Sequence, residues 1–551
     1  MKYIVTSALP YAEGMPHLGN LVGSILPADV FYKFLLMKGE DAIFICGSDE
    51  HGTPIELQAI KQKIAPEEFA ESMHRQIKKA LEDFECTFTY YGKTHTEQNK
   101  KVVYEIFEAL DKNGYIIKVD SEQAYCNNEK RFLSDTFIEG TCPHCGYEHA
   151  RGDQCENCGA LLTPKELVNP HCRVCGSSDI TFNKTTNLAI DLPKLQGKIK
   201  DFIERNSKND WSKNAINHSL NYIKRGLNAR EITRDLKWGF PVPVKGFEDK
   251  VFYVWFDAPI GYIGITREWS EEKWLGYWKD DSSRLVQFMG KDNIEFHALF
   301  WPGMLIGSDV GYVLPSTIYA YEYLLARGMK FSKSRGVGLN ISNAIKVMEP
   351  DYWRFVLMYL LPETADSEFS VELVRSIVNG ELNNVIGNFV HRTLSIAKGI
   401  GIVPSVELSE TAKKVIEEVK KEEEEYLDNF NHIRIREALR NVIQIAAKGN
   451  GYISSSEPWH AKGKELDEIM YVALSIVKKI GVLIYPFTPS ASARILEVFG
   501  MTGVGAPSIN DAKIEAGARI MIGTPKPLFR KFTDKDAEEI EKIGGGNRKQ
   551  S

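Results

Sequence analysis

Short apolar runs alternate with stretches of helical period over residues 1 to about 116. Lys2-Tyr3-Ile4-Val5-Thr6-Ser7 is rich in β-branched and aromatic residues and predicts a short buried strand. A turn segment, Ala12-Glu13-Gly14-Met15, follows; apolar Leu21, Val22 and Ile25 then predict a helix that kinks or restarts at Pro27. Ala42-Ile43-Phe44-Ile45-Cys46 predicts a second buried strand, running into Gly47-Ser48-Asp49-Glu50-His51-Gly52. Strands alternating with helices indicate a parallel α/β sheet. The pattern changes from about 117 to 225, where cysteines concentrate, and the α/β signal returns after about 226. Val251 to Phe256 and Leu285 to Met289 predict two more strands. From about 373 the period is helical almost throughout, with Leu382, Val385, Ile386 and Phe389 on one face, which predicts a helix bundle.

The expected fold class is therefore α/β, a Rossmann-like parallel sheet split by a zinc-binding insertion and followed by an all-α helix-bundle domain. The expected division is 1–116 and 226–320 for the two halves of the sheet, with 117–225 as the insertion between them. A lysine-bearing loop and a compact connector take 321–372, and the bundle takes 373–551. The Glu/Lys-rich run 417–425 reads as a solvated helix face, and residues 536–551, ending in three glycines, are expected to fray.

Composition narrows the class of protein. With 551 residues, 43% hydrophobic and 26% charged, the chain reads as a multidomain globular protein. A net charge of −6 argues against a non-specific polybasic binder but leaves room for a local basic face. No uninterrupted apolar run reaches the ~18–20 residues of a membrane span, and the N-terminus runs straight into a strand. A cytoplasmic protein is expected. Six of the nine cysteines fall in Cys-x-x-Cys pairs, a metal spacing rather than a disulfide framework.

Candidate chemistry sits at four places. At the first helix start, Pro16-His17-Leu18-Gly19-Asn20 puts His17 and Asn20 three apart, on one face, beside unpaired backbone N–H groups that suit an anion. Gly19 leaves room there for a ligand to lie against the backbone; capping and packing are the plainer reading of the same residues. Lys330-Phe331-Ser332-Lys333-Ser334 reads either as a mobile clamp on phosphates or as solvated surface. Strand ends gather ligands in parallel sheets, so Asp49 and His51 should face the same crevice as His17, with Asp49 pairing an ammonium or capping a helix. Finally, Cys142, Cys145, Cys155 and Cys158 have the spacing of a tetrahedral structural zinc site. Cys126, Cys172 and Cys175, with Glu129 or His171, make a weaker second site, which is metal-bound or metal-free.

The pairing of His17-Leu18-Gly19-Asn20 with Lys330-Phe331-Ser332-Lys333-Ser334, in this order, resembles the HIGH and KMSKS signatures of class I aminoacyl-tRNA synthetases. The resemblance spans essentially the whole chain. Ala8-Leu9-Pro10-Tyr11, the Gly-Ser-Asp-Glu-His-Gly stretch, Trp255 to Tyr262 and the cysteine knuckles make it most similar to the methionyl-tRNA synthetases. Asn20 departs from the commoner final histidine but still donates a hydrogen bond. The resemblance implies that ATP is held by His17, Gly19, Asn20, Gly290, Asp292, Lys330, Ser332 and Lys333, with His17, Asn20, Lys330 and Lys333 catalytic. It implies a methionine pocket of Ala8, Leu9, Tyr11, Asp49, Trp255, Ala258, Pro259, Tyr262 and His297. Asn293 stands where the family often has an aliphatic residue. Asn388, Arg392 and Trp459 match the positions by which the family reads the CAU anticodon; taken alone they read as cap, surface charge and core.

The implied partners are tRNA(Met), ATP and L-methionine, with Mg²⁺ accompanying ATP and at least one zinc. No C-terminal dimerisation module is visible in the sequence, so a monomer without membrane association is expected. Three rival readings have the same roots: another class I synthetase, a non-catalytic zinc-containing RNA-binding protein, and a small-molecule nucleotidylyltransferase.

Overall fold

A computed structural model describes the chain except residues 135–136, 153–154, 156–157, 159, 161, 327, 332–337, 504, 515–516, 521–526 and 545–551, and except the side chain of Lys330. Five parallel strands form the central sheet: β1 (Lys2–Ser7), β2 (Asp41–Ser48), β3 (Tyr90–Lys93), β4 (Ser283–Gly290) and β5 (Pro315–Tyr321). Their order is β5-β4-β1-β2-β3. In the central strand, Lys2 pairs with Asp41 on one side and Ser283 on the other, so one sheet joins segments about 240 residues apart. Both faces are covered by helices, and Ile4, Val5, Phe44, Ile45, Leu285 and Phe288 are fully buried. That double burial is why the strands read as continuous apolar runs rather than alternating ones. The α/β class holds.

One expected strand is largely absent. Of Val251 to Phe256 only Val251–Phe252 is extended, paired with Thr233–Arg234; a helix starts at Val254 and runs to Trp269. A short apolar run buried all round has no period to separate strand from helix. The correction matters, because it places Trp255, Asp257, Ala258, Pro259 and Tyr262 on helical turns facing the strand ends.

The first helical run also has a defined irregularity. Leu18–Asn20 is α-helical, Leu21–Ile25 forms a π turn and Leu26–Met37 is α-helical again. Pro27 lies in the first turn of the last segment, where its missing N–H costs least. The π turn is the restart expected at this proline. Leu18–Met37 has the length and hydropathy of a membrane span, yet its most apolar window is 83% buried inside the protein.

The insertion is mounted on a two-stranded stem. Ile116–Cys126 pairs antiparallel with Ile180–Ile190 along its whole length, and the cysteine knuckles sit at its far end. Helices Leu192–Asn206 and Lys213–Arg225 come back to the sheet, where Trp211 Nε1 donates to the Ser316 carbonyl and Asn214 Nδ2 to that of Ala320.

Beyond residue 373 the chain is helical, as the period indicated, with Glu410–Asn431, Ile435–Ser456, Lys464–Leu483 and Pro489–Glu497 as main members. The charged run of the first is only partly a solvated face, since Glu422 pairs with Lys448 and Glu423 with Lys479. The bundle is tied to the sheet half by Arg354. This wholly buried guanidinium donates to Asp29 Oδ2 at 2.6 Å and to the carbonyls of Pro486 and Phe487 at 2.7 and 3.1 Å. The described end of the chain is not frayed. Asp534–Gly544 is a helix packed near Ile341–Val347, with Ile540 buried and Asp536 accepting from both Arg530 and Thr533.

Candidate active site and cysteine centres

His17 has an extended backbone and caps the first helical turn. Its Nδ1 accepts from the Asn20 backbone N–H at 3.0 Å, while its own N–H donates to Asn20 Oδ1 at 3.2 Å. Capping is thus real, and it has a chemical consequence. An imidazole whose Nδ1 accepts carries its proton on Nε2; an asparagine whose oxygen accepts keeps its NH₂ as the donor half. The reciprocal cap therefore presets both side chains as donors.

The lysine segment is fastened to this turn on both flanks. Before the loop, Phe331 is buried, with its ring 5.5 Å from that of His17 and 5.6 Å from Phe369. After the loop, Leu18 N–H donates to the Leu339 carbonyl at 2.9 Å, and Ile341 N–H donates to the Pro16 carbonyl at 3.0 Å. Gly338 has φ +96°, and a Cβ there would stand 2.0 Å from Phe331 Cδ1, so only glycine lets this ring in. The opening expected at Gly19 is taken: a Cβ would lie 3.1 Å from His17 Nδ1 and 3.2 Å from Phe331 Cβ. Lys330 pairs with Leu325 in a short antiparallel strand. Ser332 and Lys333 lie outside the described residues.

Beside this turn, the ends of β1 and β2 come together. Asp49 N–H donates to the Pro10 carbonyl and Ala12 N–H to that of Asp49, both at 2.9 Å, which sets Tyr11 alongside Asp49. Trp255 meets Tyr11 edge-on, with centroids 6.3 Å apart, and stacks on Phe296 at 3.8 Å and 8°. Leu9 reaches the helix at Gly261, where a Cβ would lie 3.5 Å from its Cδ1. Tyr262 donates to His297 Nε2 at 2.8 Å, and His297 Nδ1–H donates to the Asn293 carbonyl at 3.0 Å. Burial pushes the His297 imidazole down to about 4, so the ring is neutral. Asn293 thus meets His297 through its backbone carbonyl.

Asp49 is the ionisable acid of this lining. Burial, and then the neighbouring Asp257 carboxylate, hold its carboxyl well above the usual carboxylate range. A bound cation would reverse that penalty. His51 does not face the crevice. It is fully buried, between Asp257 and His95. At the end of β4, Asp292 folds over Gly290, its Oδ1 3.0 Å from where a glycine-replacing Cβ would stand.

Several residues of this region were not singled out from sequence. His95, Trp238 and Arg234, whose guanidinium lies 4.4 Å from the Tyr253 ring centroid, carried no local signal, because only folding brings them near.

Two cysteine groups bring their sulfurs to a spacing at which a metal ion could be held. The sulfurs of Cys142, Cys145, Cys155 and Cys158 lie within 4.8 Å of one another, with Cys142–Cys158 at 3.8 Å and Cys145–Cys155 at 3.6 Å. Ligands bound tetrahedrally at ~2.3 Å have edges of about 3.8 Å, whereas a disulfide would need ~2.05 Å. Gly146 and Gly176 turn the chain at φ +75° and +74° after their cysteine pairs. Cys126, Cys172 and Cys175 form a second group, Cys126–Cys175 at 3.6 Å. Neither Glu129 nor His171 completes it: Glu129 donates its backbone N–H to Cys126 Sγ, and His171 turns to Glu139.

In the bundle, Arg392 lies over Trp459 at 4.8 Å and donates to Ser454 Oγ at 3.2 Å. Trp459 is 50% exposed, which rules out a core role. Asn388, one turn before Arg392, is also exposed.

Comparison with known proteins agrees along the whole chain. Residues 3–394 match the family described as tRNA synthetases class I (M), and residues 403–549 match the anticodon binding domain of methionyl tRNA ligase. A methionine–tRNA ligase of Pyrobaculum islandicum is 41% identical, over 98% of this chain and 96% of its own length. One of Thermofilum pendens is 42% identical, over 98% of this chain and 97% of its own. Mycobacterium tuberculosis methionyl-tRNA synthetase, solved in complex with methionyl-adenylate, has the same fold, with a TM-score of 0.80 at 22% identity over 96% of this chain and 99% of that one. On the sequence matches and the shared fold together, this chain belongs to the methionyl-type class I tRNA synthetases.

Proposed function

We propose that the chain activates L-methionine with ATP, releasing pyrophosphate, and passes the methionyl group from the adenylate to the 3′ end of tRNA(Met). The observation that carries this reading is the fastening of the lysine segment, through Phe331 and Leu339–Ile341, onto the turn that bears His17. Two phosphate-binding signatures over 300 residues apart would thereby address one triphosphate.

In this reading 1–116 and 226–320 supply the catalytic sheet, 117–225 the insertion, 321–372 the lysine loop and connector, and 373–551 the anticodon domain. A methionine carboxylate oxygen attacks the α-phosphorus and pyrophosphate leaves, so no covalent enzyme nucleophile is needed. What is needed is alignment, and donors where phosphate charge builds up. His17 Nε2–H and the Asn20 NH₂ are preset for that by their mutual cap, with Gly19 between them. Lys330, Ser332 and Lys333 are assigned to the β- and γ-phosphates, and Gly290 and Asp292 to the ribose. Mg²⁺ bound with ATP supplies further charge neutralisation.

Asp49 is assigned to the substrate ammonium, in keeping with a buried carboxyl that lacks a cation. Ala8, Leu9, Tyr11, Trp255, Ala258, Pro259, Tyr262 and His297 are assigned to the side chain. A flexible thioether suits such an aromatic, uncharged lining. Zinc is assigned to Cys142, Cys145, Cys155 and Cys158, where four thiolates would hold the knuckle in shape. Asn388, Arg392 and Trp459 are assigned to the anticodon, Trp459 as a stacking surface and the other two as readers of base edges. A monomer in the cytoplasm completes the proposal.

ATP–pyrophosphate exchange tests it. Exchange dependent on methionine is expected, and exchange with valine or isoleucine in its place would assign a different substrate. No exchange with any amino acid would leave the non-catalytic RNA-binding reading.

A further inference from the structure

Behind the pocket a chain of hydrogen bonds crosses from the first turn of helix Val254–Trp269 to the residues that follow β3. Asp257 is wholly buried, and its Oδ2 accepts from His51 Nδ1 at 2.6 Å. His51 Nε2 in turn meets His95 Nδ1 at 2.7 Å. Trp238 and Phe240 wall in both imidazoles, with ring centroids 5.6 and 4.7 Å from His51 and 4.4 and 5.6 Å from His95. The other oxygen of Asp257, Oδ1, is buried with no hydrogen-bond partner among the described residues.

The charged groups around this chain are few. Asp257 acts on Asp49 and Tyr11, and Tyr253 also acts on Tyr11. His51 donates its backbone N–H to Asp49 Oδ1 at 3.3 Å. His95 faces Lys93 and Lys100, and its backbone N–H donates to the Glu50 carboxyl. Asp49 and Asp257 are therefore two buried carboxyl groups that repel each other, and only one of them has an imidazole donor.

Such a pair cannot stay doubly ionised without further donors. His51 supplies one to Asp257 Oδ2, which favours the ionised form. An α-ammonium has three N–H groups, enough to serve Asp49 and the unpartnered Asp257 Oδ1 together.

We propose that His51 and His95 are positioning residues of the methionine subsite: they fix Asp257 so that its Oδ1 shares the substrate ammonium with Asp49. This rests on the functional reading above. His95 acts at one remove. By occupying His51 Nε2 it keeps the ring from turning, and because it is only half-buried it is the link through which a proton enters or leaves.

The test is steady-state exchange with methionine and ATP varied separately across pH, in wild type, His51→Phe, His51→Gln and His95→Phe. His51→Phe removes the donor, so Asp257 protonates more readily. Its methionine KM is expected to rise at least ~10-fold with the ATP KM nearly unchanged, and the acid limb of kcat/KM for methionine moves up by about one pH unit. His51→Gln, which restores a donor, recovers most of the affinity. His95→Phe shifts the limb in the same direction by less, and it carries the test alone if His51→Phe does not fold. An acid limb that stays in place in His95→Phe and the foldable His51 variants overturns the inference, as does a parallel rise in both KM values. A wild type lacking methionine-dependent exchange removes the functional reading and this inference together. A wild type that exchanges, with variants whose limb is unmoved, removes the inference alone.

Discussion

Replacing Phe331 by alanine probes whether the lysine segment must be docked on the His17 turn. Phe331 is 7% exposed, packs on the His17 and Phe369 rings, and fills the space that Gly19 and Gly338 leave open. Truncating a buried phenylalanine costs ~3–5 kcal/mol. The ring sits in the same apolar core as Val5, Phe288 and Tyr321, so part of the loss falls on global folding, while its contacts with His17 and Phe369 make docking of the segment bear the rest. The low end of that range, about 3 kcal/mol, corresponds to roughly a hundredfold fall in the docked population. With methionine saturating and ATP varied in pyrophosphate exchange, kcat/KM for ATP should fall ~100-fold. The methionine KM should move little, since the Tyr11–Trp255–Phe296 lining is untouched. Phe331→Leu keeps most of the apolar volume and should cost under ~1.5 kcal/mol, less than about tenfold. A folded Phe331→Ala enzyme with ATP kinetics within twofold of wild type would refute the reasoning.

Four further outcomes follow from particular contacts. Arg354→Met leaves the buried Asp29 without its guanidinium partner and should destabilise by ~3–5 kcal/mol, read as a lowered midpoint in urea unfolding. His297, buried and pushed down to about 4, is neutral in the folded state and protonates from about 6.5 in the unfolded one. The unfolded chain therefore binds more protons below pH 6.5. Stability is full above that pH and is lost progressively toward pH 4 by about 3 kcal/mol, a loss that His297→Gln should remove from the pH profile of unfolding. Cys145→Ser should lower bound zinc by one equivalent per chain in metal analysis, whereas unchanged zinc would place the ion elsewhere. Trp459→Ala should weaken tRNA by ~1–3 kcal/mol in aminoacylation while leaving exchange untouched.

Much of this architecture could be read from sequence because the relevant signals are local. The β1, β2 and β4 runs are apolar on both faces because helices cover both, and four cysteines at knuckle spacing announce their own geometry. Two kinds of feature escaped. The first is burial without period: Val251 to Phe256 looked like one strand, yet only Val251–Phe252 is extended, and Val254–Phe256 open the helix that carries Trp255, Asp257 and Tyr262. The second is long-range polar pairing. Asp257–His51–His95 and Arg354–Asp29 each join residues scattered along the chain, and nothing in their neighbours announces the partner. The C-terminal helix Asp534–Gly544 was missed for a related reason. Its amphipathic face is short, and its support includes the Arg530–Asp536 and Arg375–Asp534 pairs and packing against Ile341–Val347.

The reading stands or falls on where the nucleotide lies. A crystal structure of the enzyme with methionine and a non-hydrolysable ATP analogue should place the triphosphate between the His17–Asn20 turn and Lys330 and Lys333, with the methionine ammonium at Asp49. A triphosphate bound away from either segment would contradict it.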